Sequence, residues 1–349
     1  MNFRVPHVFG PLQTEGTGKF ISGRKGFGQS GVTHHPPEIP LLQAEKDRQS
    51  ISRELVINWH VTEACNYACR YCYAKWDKPE SRRELIHDWA GTTRLLQEVS
   101  AYFAPGSAAY PFAGAMDWTS VRLNLAGGEP LLYGQQVLRI AALARELGLG
   151  VSIITNGSLL TPVLAEGLAE HLSLLGVSLD SANRSTNRQI GRLDRRGRQV
   201  APDTLEASLA AARRINPGLR LKINTVVNAL NSDEDMTPLI RRLAPEKWKV
   251  LRMLPIVTTD LAVSDAQFCA FVQRHSGHGL PLRVEDNADM TESYIMIDPL
   301  GRFFQNADAR GGYRYSLPIP RVGAGAAFAQ TELSSSRYLA RYSSAETVR

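Results

Sequence analysis

From residue 54 to residue 276, short runs of β-branched and aliphatic residues alternate with longer stretches whose apolar positions recur every three or four residues. The short runs predict strands at 55–61, 121–125, 151–155, 175–179, 221–227 and 248–253. The longer stretches predict helices over about 82–103, 132–147, 161–171, 201–214 and 234–243, with a further helix over 264–276. Six strand–helix alternations predict an α/β fold with a parallel sheet and helices outside it. In such folds ligands sit at the carboxyl ends of the strands. Beyond residue 280 the rhythm changes: 293–298 and 302–305 flank Pro299-Leu300-Gly301, which predicts a short β-hairpin. Residues 1–50, rich in Gly, Pro and Ser, read as a poorly ordered arm. The Ser- and Ala-rich tail after about residue 330 reads as loosely ordered. The chain thus divides into an arm (1–50), a barrel region (51–260) and a C-terminal extension (261–349).

Composition narrows the class. The 349 residues are 43% hydrophobic and 21% charged, as in a soluble globular protein. The formal charge of +6 (pI about 9.2) favours an anionic partner without naming it. No apolar run has the length of a membrane span, and the first residues do not read as a signal peptide. The expectation is a cytoplasmic protein with no membrane attachment, acting as a monomer.

The four cysteines are unevenly spread. Cys269 is distant, whereas Cys65, Cys69 and Cys72 follow the first predicted strand in the spacing C-x3-C-x2-C. Three thiols packed together in a long chain of this kind suggest a metal rather than disulfides. Iron–sulfur cubanes are normally held by four thiolates, so three leave one iron open to a small chelating molecule. S-adenosylmethionine offers an amino and a carboxylate group for such a corner. The second strand ends in Gly127-Gly128-Glu129-Pro130, where glycines permit close backbone approach and Glu129 can accept hydrogen bonds from an ammonium. Later strand exits carry Asn156 and Ser178, with Ser158 and Asp180 reading equally well as turn formers or caps.

A second pattern lies within the strands. Residues two apart share a face, so Arg122 and Asn124 point one way, as do Lys222 and Asn224, and Lys247 and Lys249. Leu123, Leu125, Leu221, Ile223 and Val250 occupy the opposite, helix-facing side. Cations converging inside a barrel need an anion to offset their desolvation, and phosphates are the obvious candidates. Arg192, in the loop after the fourth strand, is expected to join them.

The cysteine spacing, with Tyr71 before the third cysteine and the Gly-Gly-Glu-Pro motif, resembles the radical S-adenosylmethionine (SAM) superfamily. Asn58-Trp59-His60-Val61-Thr62, Leu221-Lys222-Ile223-Asn224, Glu234-Asp235-Met236-Thr237, Trp248-Lys249-Val250, Ser293 to Asp298 and Gly301-Arg302-Phe303-Phe304 resemble the viperin family, from about residue 54 to 325. The resemblance implies a partial (β/α)6 barrel of the radical SAM type whose C-terminal extension closes the active site. It implies a [4Fe–4S] cluster on Cys65, Cys69 and Cys72, and SAM held by Gly127, Gly128, Glu129, Asn156 and Ser178. It further implies an antiviral nucleotide dehydratase. A 5′-deoxyadenosyl radical takes hydrogen from C4′ of a ribonucleoside triphosphate (CTP, UTP or GTP) and the 3′-hydroxyl leaves as water. One electron and one proton then complete the 3′-deoxy-3′,4′-didehydro product. Arg122, Arg192, Lys222, Lys247 and Lys249 would grip the triphosphate, with Asn124 and Asn224 near ribose or phosphate. Tyr294 would help to quench the nucleotide radical, and a flavodoxin or ferredoxin would supply electrons. Lys247 stands where the family usually has arginine, and the amphipathic N-terminal helix and aromatic C-terminus of animal viperins have no counterpart, which fits the prokaryotic branch.

Two rivals compete. Another radical SAM enzyme, such as a peptide maturase or GTP cyclase, would usually need further cysteines, and past Cys72 only Cys269 exists. A zinc-stabilised nucleic-acid binder, with His60 or another histidine completing the site, would leave Gly-Gly-Glu-Pro without a role.

Overall fold

The computed structural model describes residues 54–74, 83–107, 118–255, 258–287, 292–306 and 312–343. The expected arm at 1–50 lies outside the described residues.

Each predicted strand forms: β1 (Glu54–Thr62), β2 (Ser120–Gly127), β3 (Gly150–Thr155), β4 (Leu174–Ser178), β5 (Arg220–Val227) and β6 (Lys247–Arg252). A seventh parallel strand, β7 (Leu282–Glu285), extends the sheet at β6. Only four residues long and largely exposed, it has too little apolar alternation to stand out in the sequence. The predicted hairpin is β8 (Ile295–Ile297) and β9 (Arg302–Asn306), turning at Gly301 (φ +75°). Strand β8 lies parallel to β1, and β10 (Tyr313–Pro318) adds antiparallel to β9. The order β10-β9-β8-β1-β2-β3-β4-β5-β6-β7 leaves β10 and β7 as unpaired edges, an open partial barrel.

The helices are α1 (Trp89–Tyr102), α2 (Gly134–Glu146), α3 (Pro162–Ala169), α4 (Arg184–Ile190), α5 (Pro202–Ile215), α6 (Thr237–Leu243), α7 (Asp265–His275), α8 (Ile319–Val322), α9 (Ala324–Phe328) and α10 (Ser335–Ser343). Helix α1 starts later than its apolar period suggests because Asp88 caps it, its carboxylate accepting from Gly91 N at 3.1 Å. Helix α6 starts with Pro238 in its first turn, the one place where a missing N–H costs nothing. Helix α7 has a reciprocal capping box, Ser264 Oγ accepting from Gln267 N (3.2 Å) and Gln267 Oε1 from Ser264 N (2.9 Å).

The expected loose tail is corrected. Helix α10 runs to Ser343 because Tyr338 is buried in the core, its hydroxyl accepting from Val56 N at 2.7 Å. One buried aromatic with a satisfied hydroxyl anchors a segment whose composition alone reads as disordered.

The outward faces of the strands build the core. Trp59, Leu123, Leu125, Val151, Ile153, Ile223, Trp248 and Val250 are fully buried against the helices, Leu95, Leu96, Val99, Val137 and Ala141 among their partners. The inward face is polar, as the register predicts: Asn58 lies opposite Asn124, Asn124 opposite Ser152, Lys222 opposite Lys247, and Asn224 opposite Lys249. No described helix is long and apolar enough to cross a membrane.

Candidate active site

The loop after β1 carries Cys65, Cys69 and Cys72, all free thiols, with Cys65 exposed and the other two half-buried. The rest of the barrel rim fixes the loop. Ala68 N and Arg70 N donate to Gly191 O (3.1 Å) and Ile190 O (2.9 Å). Gly191 (φ +91°) sits where a Cβ would lie 2.3 Å from Ala68 O, so only glycine permits this approach. Burial pushes the Cys69 thiol up to about 12, and burial also raises Cys65.

The three sulfurs feel one another's charge, yet no group of three or more His, Cys, Asp or Glu side chains among the described residues is placed to hold a single metal ion. His60, the proposed zinc ligand, is a buried β1 side chain packed edge-on to Phe304 at 5.4 Å, and burial lowers its pKa to about 4.

The second motif docks directly beneath this loop. Gly128 N donates to Thr62 O and Glu129 N to Ala64 O, both at 2.8 Å. A Cβ on Gly128 would lie 2.3 Å from Ala64 O, and one on Gly127 (φ +127°) 2.4 Å from Thr62 O. Both glycines are therefore required for strand-to-strand contact. Glu129 is tied into the surrounding backbone. Its side chain is 0% exposed, and its carboxylate accepts from Leu131 N (3.0 Å), Thr155 Oγ1 (2.7 Å) and Asn156 N (2.7 Å). It anchors the loop to the exit of β3, with Oε2 accepting only one of the three bonds. Asn156 lies beside the cysteines: its Nδ2 donates to Asn66 Oδ1 at 2.9 Å and lies 3.9 Å from Cys65 Sγ.

The expectation for Arg192 is corrected. Its guanidinium, 6% exposed, does not join the lysines but lies under the cysteine loop. It donates to Ser178 O (2.5 Å), Asp180 (3.2 Å) and Tyr71 Oη (3.2 Å), and lies 3.9 Å from Cys69 Sγ. Burial alone would weaken its charge, but Asp180, Tyr71 and Cys69 hold it protonated above the usual arginine range. Asp180, 1% exposed, is the hub that sequence reasoning took for a turn former. It accepts from Arg192, from the Tyr71 hydroxyl and from Val226 N (3.0 Å), joining the cysteine loop to β4 and β5. Ser178 contributes its backbone carbonyl to this network.

Deeper in the barrel lies the second cluster. Lys222 is half-buried, and its ammonium is held well below the usual lysine range by desolvation and then by Lys249 and Lys247. Lys249 pairs with Glu285 of β7 and donates to Tyr294 Oη at 3.0 Å, while Tyr294 Oη donates to Glu285 Oε2 at 3.0 Å. Glu285 was not foreseen because its strand was not. Asn224, level with Lys249, has a buried Oδ1 that meets no hydrogen-bond partner. An orphaned polar atom in a lysine-lined layer is what a ligand site leaves when its ligand is away.

Arg122 and Asn124 occupy a different level. Arg122 Nε pairs with Glu54 Oε2 at 2.7 Å, and its Nη1 donates to Ser152 Oγ at 2.6 Å. Ser152 Oγ donates to Asn124 Oδ1 (2.8 Å), and Asn124 Nδ2 to Asn58 Oδ1 (2.9 Å). Both residues are therefore satisfied within a polar chain across β1, β2 and β3, and the Arg122 charge still reaches Lys222.

Comparison with known proteins agrees with this geometry. Residues 59–243 match the model of the Radical SAM superfamily. An "S-adenosylmethionine-dependent nucleotide dehydratase" from Psychrobacter lutiphocae is 40% identical over 291 residues, covering 83% of this chain and 95% of that one. A protein of the same name from Pseudoalteromonas ulvae is 40% identical over 84% of this chain and 94% of its own. Among solved structures, anSMEcpe with bound AdoMet and Kp18Cys peptide superposes with a TM-score of 0.57 at 14% identity, covering 79% and 80% of the two chains, a likeness of fold.

Proposed function

The chain belongs to the radical SAM superfamily and, within it, to the S-adenosylmethionine-dependent nucleotide dehydratases of the viperin family; from that premise we propose that it converts a ribonucleoside triphosphate to its 3′-deoxy-3′,4′-didehydro analogue in antiviral, anti-phage defence. Its cofactors are a [4Fe–4S] cluster and SAM. Bound at the rim, they supply the 5′-deoxyadenosyl radical that abstracts hydrogen from the substrate ribose.

The residues divide the remaining work. Cys65, Cys69 and Cys72 hold the cluster as thiolates, and the iron charge supplies the ionisation that burial opposes. Gly127 and Gly128 bring backbone groups to the methionine end of SAM, Glu129 fixes that backbone, and Asn156 and Ser178 stand beside it. Lys222, Lys247 and Lys249 hold the triphosphate, with Asn224 offering an amide toward phosphate or ribose. Arg122 and Asn124 support the floor beneath them. Tyr294 helps to quench the nucleotide radical by relaying the electron and proton with which the 3′-hydroxyl leaves as water, the electron donor then restoring the tyrosine, and Glu285 and Lys249 fix its hydroxyl. The C-terminal extension, which supplies Tyr294 and Glu285, closes the site. The electron donor is a flavodoxin or ferredoxin, and the enzyme works as a cytoplasmic monomer.

One observation carries the nucleotide reading: Lys222, Lys247 and Lys249 lie together on the barrel interior beside the unmet Asn224 Oδ1, a positive layer suited to a polyanion. The test is anaerobic incubation with SAM, dithionite and CTP, UTP, GTP or ATP in turn. Release of 5′-deoxyadenosine is expected to depend on one or two triphosphates. Release stimulated by a peptide and by no triphosphate overturns the reading.

A further inference from the structure

Residues 183–199 hold six arginines against one aspartate. Arg192 is buried under the cysteine loop, and Arg198 pairs with Asp194 at 2.7 Å. The other four, Arg184, Arg188, Arg195 and Arg196, are exposed and pair with no carboxylate among the described residues. Some exposed arginines elsewhere are neutralised, Arg213 by Glu246, Arg214 by Glu166, and Arg242 by Asp203 and Glu206; the 183–199 segment is distinguished by four unpaired ones within thirteen residues. A run of unpaired like charges repels itself, so its concentration in one place calls for an anionic partner.

Its position names the partner's chemistry. The arginine-bearing segment is built onto the outside of the cysteine loop by three contacts. Ala68 N and Arg70 N bond the carbonyls of Gly191 and Ile190, at the end of α4 that carries Arg188. Val200 N donates to the hydroxyl of Tyr67 at 3.0 Å. Gln199 Nε2 donates to Arg184 O at 2.9 Å, folding the 194–198 turn back against α4. Arg70, also exposed, extends the same face and meets only a distant Asp260 at 3.9 Å. The basic patch is thus hydrogen-bonded directly to the cysteine loop, so a carrier docked on it lies beside that loop.

We propose that Arg184, Arg188, Arg195 and Arg196 form the docking site for an acidic one-electron carrier protein, a reduced flavodoxin-type flavoprotein, which passes its electron inward through the cysteine loop. Each encounter oxidises the donor by one electron. Two electrons and one proton are consumed per nucleotide dehydrated, one electron in cleaving SAM and one in completing the product. Complementary charge steers such encounters and sets their salt dependence more than it sets their ultimate strength. The proposal rests on reading the loop as the cluster site, so the test separates the two.

The variant is Arg188→Glu/Arg195→Glu/Arg196→Glu, with Arg188→Lys/Arg195→Lys/Arg196→Lys as its conservative control. Two readouts are taken: anisotropy of a fluorescently labelled flavodoxin titrated with each protein, and 5′-deoxyadenosine formation driven by reduced flavodoxin or by dithionite. Flavodoxin binding by the wild type is expected to weaken as salt rises from about 0.05 to 0.5 M. Charge reversal is expected to weaken it roughly tenfold or more and to raise the KM for flavodoxin similarly. The dithionite rate should stay within about twofold, and the lysine variant should behave as wild type. Unchanged flavodoxin binding in the charge-reversed variant overturns the proposal, as does capture of a single-stranded RNA oligonucleotide that flavodoxin cannot displace. Salt-sensitive flavodoxin binding lost on charge reversal, with no turnover from dithionite in any protein, supports the dock and refutes the radical reading.

Discussion

The rim of the barrel and the lysine layer beneath it are both polar and both inward-facing, but they are finished to different degrees. At the rim the strong groups beneath the cysteine loop have partners: Glu129 accepts three hydrogen bonds, Asp180 joins three elements, and Arg192 is enclosed by Ser178, Asp180 and Tyr71. In the lysine layer Lys222 is held against its charge by burial and then by Lys249 and Lys247, Lys249 pairs with Glu285, and Asn224 Oδ1 is left unmet. A network complete within the protein keeps its shape for a resident cofactor. A layer left with excess charge is completed by a ligand that comes and goes.

The largest effect should come from breaking the rim. Cys69→Ala is expected to abolish both the brown iron–sulfur absorbance and 5′-deoxyadenosine release. Full iron content with full activity would remove Cys69 from the ligand set.

In the lysine layer the same logic predicts opposite signs for binding and stability. Lys222→Met should weaken triphosphate binding by about 1.5–3 kcal/mol, roughly 10- to 100-fold. It should also raise the thermal midpoint of the ligand-free protein, because an apolar side chain carries no amine desolvation cost at this buried position. The pH dependence follows from the depressed ammonium. Between its folded value and the ordinary lysine value the unfolded chain binds the extra proton, so ligand-free stability attributable to Lys222 rises with pH across that window and is lost as pH falls through the folded value. Triphosphate restores the proton, so calorimetry in buffers of different ionisation enthalpy should show proton uptake on binding, absent in Lys222→Met.

Glu285→Gln sharpens the comparison further. Removing the counterion is expected to tighten triphosphate binding several-fold, about 1 kcal/mol. Loss of the carboxylate beside Tyr294 Oη should lower the dehydrated nucleotide formed per 5′-deoxyadenosine released. Weaker binding with unchanged coupling would assign Glu285 to scaffolding alone. The smallest effect is at the tail. Tyr338→Phe deletes the hydroxyl contact to Val56 and should cost about 1 kcal/mol in urea unfolding, with turnover unchanged.

These two regions were unequally legible. The cysteine spacing, the Gly-Gly-Glu-Pro motif and the alternation that turns Lys222, Lys247 and Lys249 inward are local properties of strands and turns, and periodicity reads them directly. What escaped depends on where long side chains go after the backbone is set. Arg192 follows the fourth strand like a ligand-binding residue, yet Asp180 draws it under Cys69, and a one-dimensional pattern does not encode that choice. Glu129 looks like an ammonium acceptor, yet two donors at the exit of β3 and one from its own loop also fall on it. Glu285 sits on a strand too short and too exposed to announce itself. Tyr338 shows the same limit at the chain's end, where one buried aromatic orders a Ser- and Ala-rich segment.

The account claims that a triphosphate bound among the lysines presents its ribose to a radical made at the rim. The most direct test is incubation of the reconstituted enzyme with SAM, reductant and the activating nucleoside triphosphate deuterated at C4′. The predicted result is one deuterium in the 5′-deoxyadenosine, with an equal amount of nucleotide that has lost water. Unlabelled 5′-deoxyadenosine formed alongside intact nucleotide would contradict it.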